Sequence, residues 1–376
     1  MKISLSDIEK EGFAVLHGKW GGVHAPRSII GLTSESADSY PHFQRMSIGY
    51  FAYPNPTFKN IIPSSRFYGY EKVIKQKKPP VVEGDFKTAG KLEQSVSKSQ
   101  YIKKIKRIKE LLAAGEIYQM CYCIRFRKKF SGSPYALFFK LTEVNPVDYS
   151  AYLNCGDFQI ISSSPEHFFS VKNGTIKTTP IKGTISKKNK KNLEKLINSE
   201  KERAELDMIT DLERNDVGKI CEYGTLKLKK EREILELKNL WHTYSEVEGK
   251  LRSDVGQKEV IEAMFPGGSI TGCPKKRAME YIEKLEGLPR NIFTGSIGYI
   301  SNSARIQCKC KGARFGTCTC HLHLNMDFNI AIRTILIKDG YLEFWAGGGI
   351  VADSDPDREY EECLLKAEKF LDIIKP

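Results

Sequence analysis

The sequence predicts an α+β fold, in which long helices are mixed with runs of adjacent strands and do not alternate regularly with single strands. In several long segments apolar residues recur at helical spacing, whereas short apolar runs bounded by glycine and proline occupy the stretches between them. The 376 residues are enough to bury a substantial core. We therefore expect one large α+β body or two compact ones.

Strands are predicted at the start of the chain, and helices mixed with strands after it. About the first 75 residues alternate apolar runs with glycine, proline and serine, which predicts antiparallel strands, and a polar connector follows at 75–85. A helix is predicted from an N-cap at Ser99 to Gly115, because apolar residues recur there every three or four positions. Further helices are predicted at 199–212, 257–265, 275–285 and 358–374. Further strands are predicted at 118–126, 149–155, 158–162, 167–171, 175–179, 293–301, 329–337 and 341–346.

Composition narrows the class of protein. A hydrophobic fraction of 40% and a charged fraction of 28% are ordinary for a soluble protein. No apolar run reaches the roughly 20 residues that span a bilayer, and residues 1–10 lack the core of a signal peptide, so we expect a cytoplasmic location. The net charge of +13 lies in short lysine clusters without aromatic residues between them, which argues against nucleic-acid binding. We expect free thiols at Cys121, Cys123, Cys155, Cys221, Cys273 and Cys363.

One lysine lies between residues that restrict the backbone. Lys182 lies two residues after Pro180 and directly before Gly183 in the segment Thr-Pro-Ile-Lys-Gly-Thr. Proline fixes its own φ angle and glycine permits close approach of another group, so the amine is aimed in one direction. A desolvated lysine loses its proton near neutral pH and attacks carbon. Two interpretations stay open at this point: an activated nucleophile, or an edge-strand lysine that points to water.

Two pairs of glutamates are spaced three residues apart on predicted helices. They are Glu202 with Glu205 and Glu359 with Glu362. This spacing puts both carboxylates of a pair on one helix face. Because Mg²⁺ takes one or two carboxylates directly and reaches others through its waters, the pairs indicate either a Mg²⁺ site or two solvated helix faces.

Two glycine-rich stretches are candidate anion sites. The segment 266–275, which includes Ser269, leads into a predicted helix whose free N–H groups and dipole attract anions. The segment 346–350 follows a strand, and Gly347 and Gly349 would let backbone amides approach a bound carboxylate. Neither stretch matches the phosphate-loop or dinucleotide motifs, and a tight turn is the alternative for each.

Taken in order, these segments resemble the chorismate-utilising enzymes, and within that family component I of the aminodeoxychorismate synthases. The resemblance covers roughly 99–374. The matching motifs are 114–119, 162–166, 180–184, 202–216, 242–249, 265–275, 295–301, 326–334 and 344–366. It implies two antiparallel β-sheets packed against each other, with helices outside and the site in a cleft.

The resemblance also implies how a cation and the acids are used. It implies that the Glu205 and Glu362 carboxylates bind Mg²⁺ directly and that Glu202 and Glu359 reach the ion through water. The Mg²⁺ in turn binds the ring carboxylate of chorismate. It makes Glu166 the general acid that protonates the departing C4 hydroxyl.

The remaining implied roles concern substrate binding. Arg333, Lys366 and the amides around Gly347 and Gly349 match positions that bind the side-chain carboxylate of chorismate. Gln119 and Ser269 belong to the substrate-binding set as well. The resemblance places His242 near the ring, where it orients the substrate or transfers a proton.

Two positions indicate the reaction within the family. Isochorismate and salicylate synthases carry a water-activating lysine where this chain has Gln119, which cannot act as a base. Anthranilate synthases usually have alanine where this chain has Lys182, as aminodeoxychorismate synthases do. The resemblance implies that the lysine adds to ring carbon C2 as hydroxide leaves C4, and that ammonia then enters at C4. The implied product is 4-amino-4-deoxychorismate, a precursor of 4-aminobenzoate and folate, and the implied ammonia source is a separate glutamine amidotransferase partner.

Several positions depart from the family pattern. Phe293 replaces a tyrosine near the substrate, and Ile185 and Ser186 replace basic residues. An insertion at 302–325 carries the four cysteines Cys308, Cys310, Cys318 and Cys320. On a hairpin these thiols would share a face and could hold a structural Zn²⁺, although free thiols on a loop are the favoured interpretation.

We expect residues 1–98 to form a β-rich segment of the same globular unit as a chorismate-binding catalytic domain at 99–376. The leading hypothesis is aminodeoxychorismate synthase component I. The alternatives are anthranilate synthase component I and, from a different class, a non-catalytic chorismate- or metal-binding regulator.

Overall fold

The computed structural model describes residues 3–22, 27–32, 35–37, 46–187, 189–236, 240–302 and 324–375. Within them the helices are α1 (Leu5–Ile8), α2 (Lys98–Ala113), α3 (Pro134–Val144), α4 (Lys190–Ile197), α5 (Glu200–Gly218), α6 (Gln257–Met264), α7 (Lys275–Glu286) and α8 (Pro356–Ile373). The strands are β1 (Ala14–Gly18), β2 (Arg27–Gly31), β3 (Glu35–Ala37), β4 (Met46–Phe51), β5 (Ser65–Tyr70), β6 (Val73–Gln76), β7 (Phe86–Gln94), β8 (Gln119–Gly132), β9 (Tyr149–Asn154), β10 (Phe158–Ser164), β11 (His167–Lys172), β12 (Thr175–Thr178), β13 (Ile181–Ser186), β14 (Lys227–Glu236), β15 (Leu240–Lys250), β16 (Gly272–Cys273), β17 (Ser296–Asn302), β18 (Leu324–Ile330), β19 (Thr334–Lys338) and β20 (Tyr341–Ile350).

The chain divides into two compact units. Unit 1 comprises Met1–Pro165, Ile270–Tyr299 and Asn329–Pro376, and unit 2 comprises Glu166–Ser269 and Ile300–Phe328. The strands form two antiparallel sheets, as the α+β prediction and the family resemblance implied. The predicted boundary at residue 98 stays a prediction.

Unit 1 contains the whole first sheet. Its strand order is β16-β8-β20-β19-β10-β9-β1-β2-β6, and β7 pairs with the C-terminal part of β8. In the same unit β5 pairs with β4 on one side and β3 on the other. Side chains from β4 and β5, such as Ile48 and Tyr68, pack with Leu16 and Leu153 of the first sheet in one buried cluster. Two layers of strands therefore share an apolar core within unit 1.

Helices cover the other face of the first sheet. The apolar stripe of α2 is buried against it, because Tyr101, Ile105 and Ile108 recur at helical spacing. Helix α8 buries Cys363 and Phe370 in the same cluster. The N-cap of α2 is Ser97, two positions before the predicted cap, because Ser97 and Gln100 form a capping box.

Unit 2 is built around a smaller set of strands. The strands β13, β15, β12 and β11 pair in that order, and β14 also runs along β15. Helix α5 begins after the N-cap Ser199, as predicted, but extends to Gly218 and buries Leu206 and Ile209. Elements of the structure that the sequence analysis did not predict include α1, α3, α4, β7, β14 and β15. Among the described residues, no helix has both the length and the apolar character needed to cross a membrane.

Candidate functional site

Lys182 lies at an irregularity of β13 in unit 2. Lys182 is paired with Thr243 of β15, whereas Thr184 is paired with His242, so the register shifts between them. At that point Gly183 has a φ of 67°, and a Cβ on it would lie 2.8 Å from Leu196 Cδ1. The Thr243 hydroxyl donates to the Lys182 carbonyl oxygen. The bulge therefore requires glycine, and it fixes the backbone that carries the half-buried Lys182.

One of the predicted metal-binding acids lies beside this bulge. The Glu202 carboxylate oxygen Oε2 would be 3.2 Å from a Cβ on Gly183. Glu205 lies one helical turn further along α5, with Lys201 Nζ 3.9 Å from its carboxylate. Both glutamates are half-buried. Glu202 also lines a cavity of about 210 Å³, together with Thr243 and Leu206.

Two other predicted residues of unit 2 are in direct contact. The Ser269 hydroxyl donates to Glu166 Oε1 at 2.9 Å, and Ser269 is 9% exposed. The predicted general acid thus has a hydroxyl partner at the end of the glycine-rich stretch. His242, the third predicted catalytic residue, is half-buried on β15 beside Thr243.

In unit 1, strands β8 and β20 lie side by side and carry another group of predicted residues. Gly347 is paired with Cys123 and Gly349 with Cys121. A Cβ on Gly347 would lie 2.1 Å from the Tyr122 carbonyl oxygen, and a Cβ on Gly349 would lie 2.5 Å from Gln119 Nε2. Packing against the β8 backbone therefore requires glycine at 347, whereas a Cβ at 349 would meet only the Gln119 side chain. The predicted use of the two backbone amides for a carboxylate stays a prediction.

Gln119 is fully buried and its amide is available to a ligand. Its relative exposure is 0%, and among the described residues neither amide atom has a hydrogen-bond partner. The chain around it is fixed by β16, because a Cβ on Gly272 would lie 2.2 Å from the Gln119 carbonyl oxygen. Cys121 N donates to Thr271 O at 2.8 Å in the same place. A buried amide without partners is costly, so a polar ligand at this position would gain two hydrogen bonds that the chain does not make itself.

The opposite face of β20 holds the charged residues of α8. A Cβ on Gly348 would lie 3.2 Å from Lys366 Nζ, 3.5 Å from Glu359 Oε2 and 3.9 Å from Glu362 Oε1. Lys366 Nζ lies 2.7 Å from Glu362 Oε1 and donates to Gly347 O at 3.1 Å. About 40% of the Lys366 side chain is exposed. Two opposing effects act on the pKa of its ammonium group: burial among protein atoms lowers it, and the charge of the Glu362 carboxylate raises it. The second effect is the larger, so the pKa of Lys366 lies above its ordinary value.

These acids fit the implied cation. Each unit presents two carboxylates from one helix face, and oxygen donors of this kind are what Mg²⁺ prefers. Glu359 is 7% exposed and accepts a hydrogen bond of 2.7 Å from Ser354 Oγ. Its carboxylate is therefore fixed by the protein and does not point into solvent. In the part of the chain that the structure describes, no group of three or more histidine, cysteine or acidic side chains gathers within one site. The predicted zinc ligands Cys308, Cys310, Cys318 and Cys320 lie outside the described residues.

Arg333 lies between β18 and β19 in a backbone conformation that is uncommon for a side chain of its size. Its φ is 47°, and its carbonyl oxygen accepts a hydrogen bond of 3.0 Å from Ser163 N. Its side chain is half-buried. The predicted contact between Arg333 and a substrate carboxylate stays a prediction.

A buried arginine that the sequence analysis did not single out supports β8. Arg290 is 1% exposed and makes two hydrogen bonds with Glu286, of 2.8 Å and 2.6 Å. It also donates to the carbonyl oxygens of Ile270 and Cys121, both at 2.9 Å. Because Cys121 lies two residues after Gln119, this ion pair holds the strand that carries the buried amide. The only local sign of it in the sequence is an arginine two residues before the apolar pair Ile292 and Phe293.

The departure at Phe293 has a structural counterpart. Its ring is stacked on Trp345, with centroids 5.8 Å apart and an interplanar angle of 8°. Trp345 is two residues before Gly347 on β20, so it lies on the face of the strand that also holds Gly347 and Gly349. This alternation was the signal in the sequence that could have identified Trp345.

Comparison with known proteins identifies the family to which this chain belongs. A family model described as chorismate binding enzyme matches residues 60–309 and 315–372. Aminodeoxychorismate synthase component 1 of Bacillus subtilis is 38% identical over 77% of this chain and 59% of its own length. Anthranilate synthase component 1 of Aquifex aeolicus is 36% identical over 78% of this chain and 56% of its own length. The chain thus spans less than two thirds of the length of these relatives.

Solved structures share the fold at lower identity. The menaquinone-specific isochorismate synthase of Escherichia coli superposes with a TM-score of 0.76 at 17% identity, over 99% of this chain and 91% of that one. Anthranilate synthase component I from Streptococcus pneumoniae gives a TM-score of 0.72 at 24% identity, over 97% and 91% of the two chains. The match of the family model over most of the chain, together with relatives above 30% identity, shows that this chain belongs to the family of chorismate binding enzymes.

Proposed function

We propose that this chain is the component I of an aminodeoxychorismate synthase, which converts chorismate and ammonia to 4-amino-4-deoxychorismate. The observation that carries the proposal is Lys182, held at a bulge that requires glycine at the next position. A fixed backbone aims the amine, and a nucleophilic lysine is what distinguishes amination at C4 from the other reactions of the family.

In the proposed reaction the Lys182 amine adds to ring carbon C2. The new C–N bond forms at C2 as both conjugated double bonds of the ring shift by one position and the C4–O bond breaks, and Glu166 gives its proton to the departing hydroxide, so that water leaves. Ammonia then adds at C4, both double bonds shift back to their original positions and the C2–N bond breaks with its electron pair returning to Lys182. The Glu166 carboxylate takes up a proton released by the nitrogen, which restores the starting state.

The remaining residues bind and orient. The buried amide of Gln119 offers a donor and an acceptor but no base, so it holds a substrate group without activating water. Arg333 and Lys366 are the proposed cationic partners of the side-chain carboxylate. Ser269 holds Glu166 through its hydroxyl, which favours one orientation of that acid.

A divalent cation and a partner protein complete the proposal. Glu202, Glu205, Glu359 and Glu362 would hold Mg²⁺, which when bound would neutralise the charge of the ring carboxylate. We propose that the ammonia comes from a glutamine amidotransferase subunit and that the product supplies 4-aminobenzoate and folate synthesis. The cytoplasmic location expected from the sequence belongs to the same proposal.

Anthranilate synthase component I is the second candidate. Relatives with that name match at 36% identity, close to the 38% of the aminodeoxychorismate synthase relative. The two reactions differ in product: anthranilate formation expels pyruvate and gives an aromatic ring, whereas aminodeoxychorismate keeps the enolpyruvyl group.

The test is a product assay with chorismate, an ammonium salt and Mg²⁺, read by mass spectrometry. We expect 4-amino-4-deoxychorismate from the wild type and none from K182A. The matched control is K187A, because Lys187 directly follows the same strand but pairs with Glu236. Anthranilate and pyruvate as the wild-type products would refute the function, and wild-type turnover by K182A would refute the role of Lys182.

A further inference from the structure

A small apolar cluster lies on the same face of β8 and β20 as Gln119. It consists of Cys121, Cys123, Phe293 and Trp345, which are between 3% and 7% exposed. We call these four residues the Trp345 cluster. They form a cluster distinct from the larger apolar cores of unit 1, so their packing is local to this face of the sheet.

Within this cluster the indole nitrogen of Trp345 lacks a partner. Trp345 is 3% exposed, and its Nε1 has no hydrogen-bond partner among the described residues. An indole nitrogen is a donor only, and buried tryptophans normally satisfy it. Trp20 of the same chain follows that rule, because its fully buried Nε1 donates to Ser150 O at 3.1 Å. The Trp345 donor is therefore available to a group that does not belong to the described chain.

The unpartnered donor of Trp345 lies in line with the other unpartnered polar atoms of this face. Alternate residues of a strand point to one side and are about 7 Å apart, so Trp345, Gly347 and Gly349 form a row. Gln119, with both amide atoms unpartnered, is packed against Gly349 at the far end of that row. A ligand that lies along the row would meet a donor at each end.

We propose that Trp345 is a substrate-binding residue whose indole N–H donates a hydrogen bond to an oxygen of chorismate. This inference rests on the proposed function only in taking chorismate as the ligand. The carboxylate and ether oxygens of chorismate are acceptors, which is what a donor-only group requires. The Phe293 ring has no hydroxyl to offer, but it stacks on the indole and holds it in one orientation.

The inference is tested with two replacements of Trp345. W345F removes the N–H together with part of the ring, whereas 3-benzothienylalanine, introduced by codon suppression, keeps the shape and replaces the N–H by sulfur. We expect both to raise the KM for chorismate, and its Kd measured calorimetrically without ammonia, by about ten-fold or more, with little change in kcat. The benzothienylalanine protein keeps the stacking, so its melting temperature stays near the wild-type value.

The matched control is W20F, which removes an indole N–H that the protein already satisfies. It is expected to lower the melting temperature and leave the Kd for chorismate unchanged. A wild-type Kd in the benzothienylalanine variant would overturn the inference, as would a W345F protein that loses only thermal stability.

Failure of this inference is distinguishable from failure of the proposed function. If the wild type makes anthranilate, the proposed function fails while a ten-fold loss of chorismate binding in both variants still supports Trp345. If the wild type makes 4-amino-4-deoxychorismate and both variants bind chorismate normally, the inference alone fails.

Discussion

The buried ion pair between Arg290 and Glu286 gives a quantitative test of the structure. Both side chains are 0% exposed. In R290M the Glu286 carboxylate would keep the hydrogen bond of 2.9 Å from Cys123 N and lose both bonds from the guanidinium group. The carbonyl oxygens of Ile270 and Cys121 would lose the hydrogen bonds from the guanidinium group at the same time.

The expected cost follows from the charge that is left behind. Removing one partner of a buried ion pair costs about 3–5 kcal/mol, because the other charge is left uncompensated. For a unit of this size 1 kcal/mol shifts the melting temperature by about 2–4 °C, so R290M should melt about 6–20 °C below the wild type. The double variant E286Q/R290M leaves no buried charge and should recover several degrees of that loss.

Differential scanning calorimetry of the two variants provides the measurement. R107M is the matched control, because Arg107 and Glu110 form an exposed pair on α2, with 58% and 62% of their side chains exposed. Such pairs contribute at most about 1 kcal/mol, so R107M should melt close to the wild type. A fall of less than about 3 °C for R290M, or a double variant that melts below R290M, would refute the reasoning.

Two glycines, a buried acid and two thiols give three further tests. G347A should lower the melting temperature more than G349A. The Cβ added at 347 would meet a backbone oxygen of β8, whereas the Cβ added at 349 would meet a side-chain amide that can move. Equal falls in melting temperature would contradict this prediction. Burial raises the pKa of Glu343 above its ordinary value of 4.5, so its contribution to stability is present below pH 4.5 and is lost as the pH rises through the raised value. When the free energy of unfolding is measured by urea titration at pH values from below 4.5 upward, the E343Q variant should lack this loss of stability. A variant with the same pH dependence as the wild type would contradict the prediction. Burial raises the pKa of Cys155 to about 12, so at pH 8 an aromatic disulfide reagent should label the half-buried Cys273 well before Cys155; the reverse order is the contrary result.

The helices that the sequence predicts well are those fixed by their own residues. Helix α5 begins after Ser199 as predicted, because a serine cap followed by apolar residues at helical spacing is a local signal. Helix α3 was missed although Ser133 caps it and Pro134 occupies its first turn, because its run of aromatic and aliphatic residues suits a buried strand equally well. Strand β14 was missed because its lysines resemble a solvated surface, and its pairing with β15 is what makes it a strand.

The same division applies to the candidate site. The spacing of Glu202 and Glu205 is a local property, so their common helix face could be predicted without a structure. The contacts of Arg290 join residues 20 and 169 positions away, and no local pattern contains such information. The orphaned donor of Trp345 is likewise visible only when every neighbouring acceptor has been located.

The interleaving of the two units in the chain has a consequence for biosynthesis. Strand β8 pairs with β20, which the ribosome makes only after all of unit 2 has been translated. At the usual 5–20 residues per second the intervening roughly 200 residues take about 10–40 s. Throughout that time the nascent β8, which begins at Gln119, can pair with β7 but not with β20. Its apolar residues Ile124 and Phe126 therefore lack part of the apolar cluster that buries them in the complete protein. Synthesis of this protein should therefore depend on chaperones that shield a half-finished sheet during translation.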